Sequence, residues 1–202
     1  MEDELFNDPI DYLTPTYDNH KNNKNIEIEF RIGKLINNRF NTDISKEHFD
    51  LINNNLSECE EWDTIDFINS EDYFKDDKRL SVSDEETKCI KKEKLDTFDF
   101  NFIGSCYDIR VCFSSETPAK KFNITKNLLK RTKQRISYVI DGVSYDLTTV
   151  ESNGTKTYSV EIEIKDIKHA STRYMLHNCF LKIKDIIEFC GALDPDAHLE
   201  LV

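Results

Sequence analysis

Hydrophobic and polar positions alternate over much of this chain. Ile26, Ile28, Phe30 and Ile32 interleave with Glu27, Glu29 and Arg31, the two-residue period of a strand with one apolar face. Gly33 closes that pattern. Over residues 45–56 the period changes, with Phe49, Ile52 and Leu56 at helical spacing behind Ser45, a suitable N-cap. Runs at strand spacing follow at 61–68, 78–83, 87–95, 107–115, 131–140, 143–151 and 157–165. The last long segment, about 169–190, sets Tyr174, Phe180, Leu181, Ile183, Ile187 and Cys190 among polar residues and stops at Gly191, which predicts one amphipathic helix. Residues 1–25 hold no sustained period, are acidic and Asn/Asp-rich, and carry Pro9 and Pro15. They are expected to form a loosely packed leader to a single domain spanning 26–202. About eight strands with an early and a late helix predict an α+β, mainly β fold, an antiparallel barrel or strongly curved sheet.

Two dipeptides set the register of the last strands. Asp141-Gly142 and Asn153-Gly154 each sit between strand-like runs and favour two-residue type I′ turns. Ser137 then faces Asp146, Arg135 faces Thr148, Asp146 faces Glu161 and Ser144 faces Glu163. Because side chains alternate across a strand and paired residues share a face, one face carries Arg131, Lys133, Arg135, Asp146, Glu161 and Glu163. The other carries Ile136, Tyr138, Ile140, Tyr145, Leu147, Val160, Ile162 and Ile164. The apolar face needs a core, and the charged face is either solvated surface or the lining of a cavity. Acids and bases sort by strand, with Glu27/Glu29 and Glu161/Glu163 on two of them and a like-charge row of three bases on another. Such a row is unfavourable unless an anion lies over it, and Glu161 opposite Asp146 calls for a cation. A metal-bound polyphosphate would satisfy both.

Composition narrows the picture. A chain of 202 residues with 38% hydrophobic and 33% charged positions can bury one domain core. No apolar run approaches the roughly 18 residues of a membrane span and no signal peptide begins the chain, so an intracellular, cytoplasmic protein with no membrane partner is expected. The six cysteines form no CxxC pair, consistent with reduced thiols. The net charge of −12 argues against a grip along nucleic acid, which needs a basic surface. Any RNA would be held by a few phosphates in a local positive pocket. No HExxH, P-loop, GxGxxG or GxSxG is present, which leaves zinc-protease, nucleotide-fold and serine-hydrolase chemistry without support.

The segments IEIEFRIGK (26–34) and SVEIEIK (159–165), with YDIRVCFSSETP (107–118), KRTKQRISYVIDG (130–142) and YDLTTV (145–150), resemble the triphosphate tunnel metalloenzymes. Within them the chain is similar to the metal-dependent RNA triphosphatases of fungal and large-DNA-virus (mimivirus-like) mRNA capping. The resemblance covers residues 26–165 and implies an eight-stranded antiparallel barrel with a hydrophilic tunnel and a few flanking helices. It implies that Glu27, Glu29 and Glu163 ligate Mg²⁺ or Mn²⁺. Glu161 and Asp146 would lie near the metal or orient water, and Arg110, Arg131, Lys133 and Arg135 would hold phosphates. Arg31, Arg79, Lys92 and Lys94 are further candidates for the phosphates. Ser159 and Ser144 depart from the pattern, where some members carry a third glutamate and a base.

The implied activity removes the γ-phosphate from 5′-triphosphate RNA to leave a diphosphate end, with NTPs as further substrates. Water would attack in line, activated by Glu161, by Asp146 or by no protein base. The implied partners are guanylyltransferase and methyltransferase domains of the same polypeptide, in the host cytoplasm or virion if the protein is viral. Two alternatives stand beside this reading: a tripolyphosphatase or other triphosphatase of the same fold, and a non-catalytic β-barrel binding module.

Overall fold

The computed structural model describes residues 5–166, 171–191, 193–194 and 196–202. Helix α1 (Asn7–His20) leads into β1 (Ile26–Ile36), β2 (Arg39–Asn41) and α2 (Lys46–Ser57). Strands β3 (Thr64–Lys75), β4 (Lys78–Ser83), β5 (Thr87–Ile103), β6 (Asp108–Pro118), β7 (Leu129–Ile140), β8 (Val143–Ser152) and β9 (Thr155–Ile164) follow, then α3 (Thr172–Cys190) and β10 (His198–Leu201). The ladder runs β5-β4-β3-β7-β8-β9-β1 and closes through β6, which pairs with both β1 and β5. The result is an eight-stranded antiparallel barrel, with β2 and β10 added at its edges.

The two turns behave as their residues require. Asp141 and Gly142 have φ of 52° and 71°, and Asn153 and Gly154 have 52° and 77°, the positive values of a type I′ turn. The pairs Ser137–Asp146, Arg135–Thr148, Asp146–Glu161 and Ser144–Glu163 all form as the turn arithmetic requires. A third turn of this kind, Asn37-Asn38 with φ of 49° and 60°, joins β1 to β2. Gly33 therefore does not end β1. It lies inside the strand where β2 crosses closely, and a Cβ there would sit 2.2 Å from the Asn41 carbonyl oxygen.

The barrel is apolar outside and charged inside, and helices cover the apolar side. Ile28, Phe30, Ile32, Val111, Leu147 and Ile162 are fully or almost fully buried under Met175, Leu176, Phe180, Ile183 and Ile187 of α3. Ser171 caps α3 by accepting from the Tyr174 N–H at 3.3 Å; residues 169 and 170, expected in this helix, lie outside the described residues. Ser45 caps α2 in the same way, from His48 N at 3.1 Å.

The leader is the main correction. Its residues Asn7–His20 form helix α1, and Phe6, Ile10, Leu13 and Tyr17 are all within 1% of complete burial. Those four recur at helical spacing, and the Phe6 ring stacks on Phe180 with centroids 5.2 Å apart. Pro9 occupies the first turn, where a missing N–H costs little, so it does not break the helix as its presence suggested. Among the described residues no helix is long and apolar enough to cross a membrane.

Candidate active site

The barrel interior is lined by side chains of seven strands. A cavity of about 220 Å³ is bordered by Glu27, Glu29 and Arg31 of β1, Asp72 and Phe74 of β3, Arg79 of β4 and Lys92 of β5, with Arg131, Lys133 and Arg135 of β7 beside them. Thr148 and Val150 of β8 and Ser159 and Glu161 of β9 complete it. It is smaller than the roughly 300–1,000 Å³ of apolar ligand pockets, and its lining is mostly charged. Six bases stand against four carboxylates in that lining, an excess of two positive charges inside a chain whose net charge is −12.

The carboxylates meet across three adjacent strands. Glu29 is directly opposite Glu163 and Arg31 opposite Glu161 on the β1–β9 ladder, and Glu161 is opposite Asp146 on β8–β9. The like-charge pair of Asp146 and Glu161 is relieved by Arg135. Its guanidinium reaches Asp146 Oδ2 at 2.7 Å and Glu161 Oε2 at 2.9 Å, and its Nε donates to Thr148 Oγ1 at 2.8 Å. Arg31 pairs with Glu29 and, through Nε at 3.0 Å, with Glu161. The Lys92 ammonium bridges Glu27 and Glu29, the latter at 3.0 Å.

These contacts set the protonation of the group. Burial raises Glu27, and the neighbouring Glu29 charge adds to it, pushing its carboxyl up to about 7. Burial alone would also raise Glu29, but Arg31 and Lys92 outweigh it and carry the carboxyl down to about 2. Asp146 is likewise held below the ordinary range, its burial outweighed by Arg135 and Lys165. Burial pushes Glu163 upward.

Of the three inward-facing bases on β7, Arg131, Lys133 and Arg135, only Arg135 has an ion-pair partner among the described residues. Arg131 lies with its guanidinium 4.8 Å from the centroid of the Phe74 ring. Burial and the nearby Arg135 charge push Lys133 down to about 8.

The expected residues do not all meet. Asp146 and Glu163 share the inner face but do not border this cavity; Arg135, which does, binds Asp146 and is 4.0 Å from Glu163. Arg110 is on the inward side of β6 opposite Arg31, yet it does not border the cavity. Two nitrogens of Arg110 bind Asp99 at 2.6 and 2.7 Å, and its guanidinium lies 4.7 Å from the centroid of the Phe40 ring. Lys94 is exposed and also lies outside the cavity lining. Arg31, Arg79 and Lys92 do line it.

Sequence reasoning missed three acids and bases. Asp72 is buried opposite Arg131, with one carboxylate oxygen lacking a hydrogen-bond partner. Glu116 binds Arg79 at 3.0 Å, and Lys165 binds Glu163 at 2.7 Å and approaches Asp146 at 3.7 Å. Lys165 was legible in principle, since it continues the inward set Glu161, Glu163 by one more alternation.

A barrel with acids on three adjacent strands, and two bases on β7 without an ion-pair partner among the described residues, has the charge to accept a polyphosphate. The family model "mRNA capping enzyme, beta chain" matches residues 53–178, which is more than half of the chain. The chain belongs to this mRNA triphosphatase family. It is an RNA 5′-triphosphatase of mRNA capping, a hydrolase acting on a phosphoric anhydride bond.

The RNA triphosphatase Pct1 of S. pombe, solved in complex with the Spt5 CTD, is 16% identical, with 89% of this chain and 93% of that one covered at a TM-score of 0.76. Pct1 alone gives 0.77 at the same identity, with 89% and 92% covered. The RNA triphosphatase domain of a trifunctional mimivirus mRNA capping enzyme is 15% identical, with 91% and 98% covered and a TM-score of 0.65. At these identities the likeness establishes the fold of the triphosphatase. No curated protein sequence matches it.

Proposed function

We propose that this triphosphatase acts with a divalent metal, Mg²⁺ or Mn²⁺, held by Glu27, Glu29 and Glu163, and that Arg131 and Lys133 receive the phosphates. The observation that carries the reading is the pair of unpaired bases, Arg131 and Lys133, bordering the same cavity as Glu27, Glu29 and Glu161.

Among the described residues no three carboxylate, histidine or cysteine groups are already drawn together as a closed metal site. The donors nevertheless fit a hard cation. Glu27 and Glu29 share one positive centre, the Lys92 ammonium, and Glu163 is directly opposite Glu29. A bound metal would offset charge on the γ-phosphate and the leaving oxygen.

The chain's own residues supply the rest. Arg131 and Lys133 neutralise phosphate oxygens, while Arg31 and Arg135 hold Glu29, Glu161 and Asp146 in place and lend positive charge beside them. Most of the catalysis is then positioning and electrostatics. The oxygen of water forms a bond to the γ-phosphorus as the bond from that phosphorus to the β–γ bridging oxygen breaks. Inorganic phosphate and a 5′-diphosphate end result, and one proton passes to solvent, to Glu161 or to Asp146. Arg110, engaged by Asp99, is assigned to the structure of the barrel end.

NTPs carry the same three phosphates and are further substrates in this reading. The mimivirus protein is a trifunctional capping enzyme, and guanylyltransferase and methyltransferase activities are the partners that would use the diphosphate end. A second reading, hydrolysis of inorganic tripolyphosphate, shares the cavity and is separated by the same experiment. RNA labelled in the γ- or α-phosphate, in two unrelated sequences, is incubated with Mg²⁺ or Mn²⁺. Release of γ-phosphate alone from both RNAs supports the reading. Release of the α label, activity that persists in EDTA, or cleavage of tripolyphosphate without RNA cleavage overturns it.

A further inference from the structure

The barrel wall is incomplete at one place. Strand β3 pairs with β7 from residue 64 to residue 74, but with β4 only from residue 70 to residue 75. Residues 64–69 therefore have a ladder on one side and, among the described residues, none on the other. Along such a segment every second residue directs its N–H and C=O to the open side, so this edge, about 20 Å long, is a template for another strand.

Its side chains are unusual for a free edge. Phe67 is 71% exposed, and Ile65 and Ile68 are each 43% exposed. Phe67 and Ile65 face outward, opposite Ile136 and Tyr138, whereas Ile68 is opposite Arg135 on the inner side. Sheet edges are ordinarily blunted by charged side chains, above all lysine, by proline or by a bulge, and the one charged residue within 64–69 is Asp66. From residue 47 to residue 74 there is no lysine, arginine, proline or glycine.

The charge around the edge is of one sign. Glu58, Glu60, Glu61, Asp63 and Asp66 are all exposed, and none has an ion-pair partner among the described residues. A second copy of this chain, paired edge to edge, would bring the two acidic sets together, which disfavours self-association. A strand that alternates basic with apolar residues would instead match both the carboxylates and the exposed Phe67.

We infer that residues 64–69 are a docking edge for an extended, basic segment of a partner protein, which adds to the barrel as a strand beside β3. This is recognition by main-chain pairing with side-chain selection. The edge is separate from the phosphate cavity, whose β3 lining is Asp72 and Phe74.

The test uses the whole protein and a peptide of roughly eight residues, enough to span the edge, that alternates lysine with valine. Its counterpart carries glutamate in place of lysine. Amide hydrogen exchange and fluorescence anisotropy are measured with each. The lysine peptide should slow exchange within residues 64–69, and the glutamate peptide should not. F67S, which removes the apolar contact without adding charge, should weaken binding of the lysine peptide by about tenfold or more while phosphate release stays at the wild-type level. Three results would overturn the inference: no protection at millimolar peptide, equal binding of the two peptides, or concentration-dependent protection of the edge without peptide. The last would identify a second copy as the occupant.

Discussion

Lys133 is the side chain for which function and stability should conflict most openly. It is held inside the barrel without an ion-pair partner among the described residues, and burial followed by the Arg135 charge lowers it from 10.5 to about 8. That difference corresponds to at most about 3 kcal/mol of strain on the charged form at neutral pH. Solvent entering the cavity reduces it to about 2 kcal/mol. Methionine fills the space of the lysine stem without the charge, so K133M should stabilise the free protein. For a domain of this size that is a rise in Tm of about 4–8 °C.

The sign follows from linkage. Above pH 8 the folded protein begins to lose a proton that the unfolded chain keeps until about 10.5, so the wild type gains stability relative to the variant across that window. The advantage of K133M should therefore be full at pH 7, shrink above pH 8 and vanish near pH 10.5. Thermal unfolding by circular dichroism across that range measures it. In parallel, phosphate release should fall by about a hundredfold, the scale of removing one preorganised electrostatic group. Saturating tripolyphosphate should stabilise the wild type more than the variant, because the anion supplies the missing partner. A lower Tm for K133M at pH 7, or a stability difference that does not change with pH, would refute the reasoning.

Two further outcomes are expected. Each of E27Q, E29Q and E163Q should reduce phosphate release by at least about a hundredfold and weaken Mn²⁺ binding measured by calorimetry; near-wild-type turnover and metal binding in all three would remove the proposed ligand set. L13A in the buried face of α1 should cost about 2–5 kcal/mol in denaturant unfolding, and a loss under about 0.5 kcal/mol would mean that α1 is not part of the core.

The inner face was legible where tight turns fix the register. Asp141-Gly142 and Asn153-Gly154 join strands consecutive in sequence, so Asp146, Glu161, Glu163 and the β7 bases fell on one side by counting. Asp72 had no such anchor, because β3 pairs with β7 across a long stretch of chain and no turn sets their sum. The carboxylate partner of Arg110 was hidden for a local reason. A bulge between Lys94 and Asp96 shifts β5 by one residue, and beyond it Arg110 stands opposite Asp99 rather than Phe98. That one-residue shift gives it a carboxylate partner, and Arg110 does not border the cavity. Helix α1 was hidden by its two prolines and its acids, although Phe6, Ile10, Leu13 and Tyr17 carry the period that buries it.

The net charge is also informative in a way that its sign alone conceals. A barrel whose interior must hold a polyanion places its bases inside, where each is costly to bury unless a carboxylate or a substrate stands beside it. The carboxylates of β1, β8 and β9 meet that need for Arg31, Lys92 and Arg135, and leave Arg131 and Lys133 without an ion-pair partner among the described residues, as the proposed phosphate site requires. Apolar side chains are thereby displaced to the outside of the barrel, and α1, α2 and α3 are needed to cover them. With the bases drawn inward, the outer surface is left acidic, as at residues 58–66, and repels the body of an RNA chain. On the proposed reading, the same distribution of charge that fills the tunnel should limit recognition to the triphosphate end, and RNA body length should then have little effect on turnover.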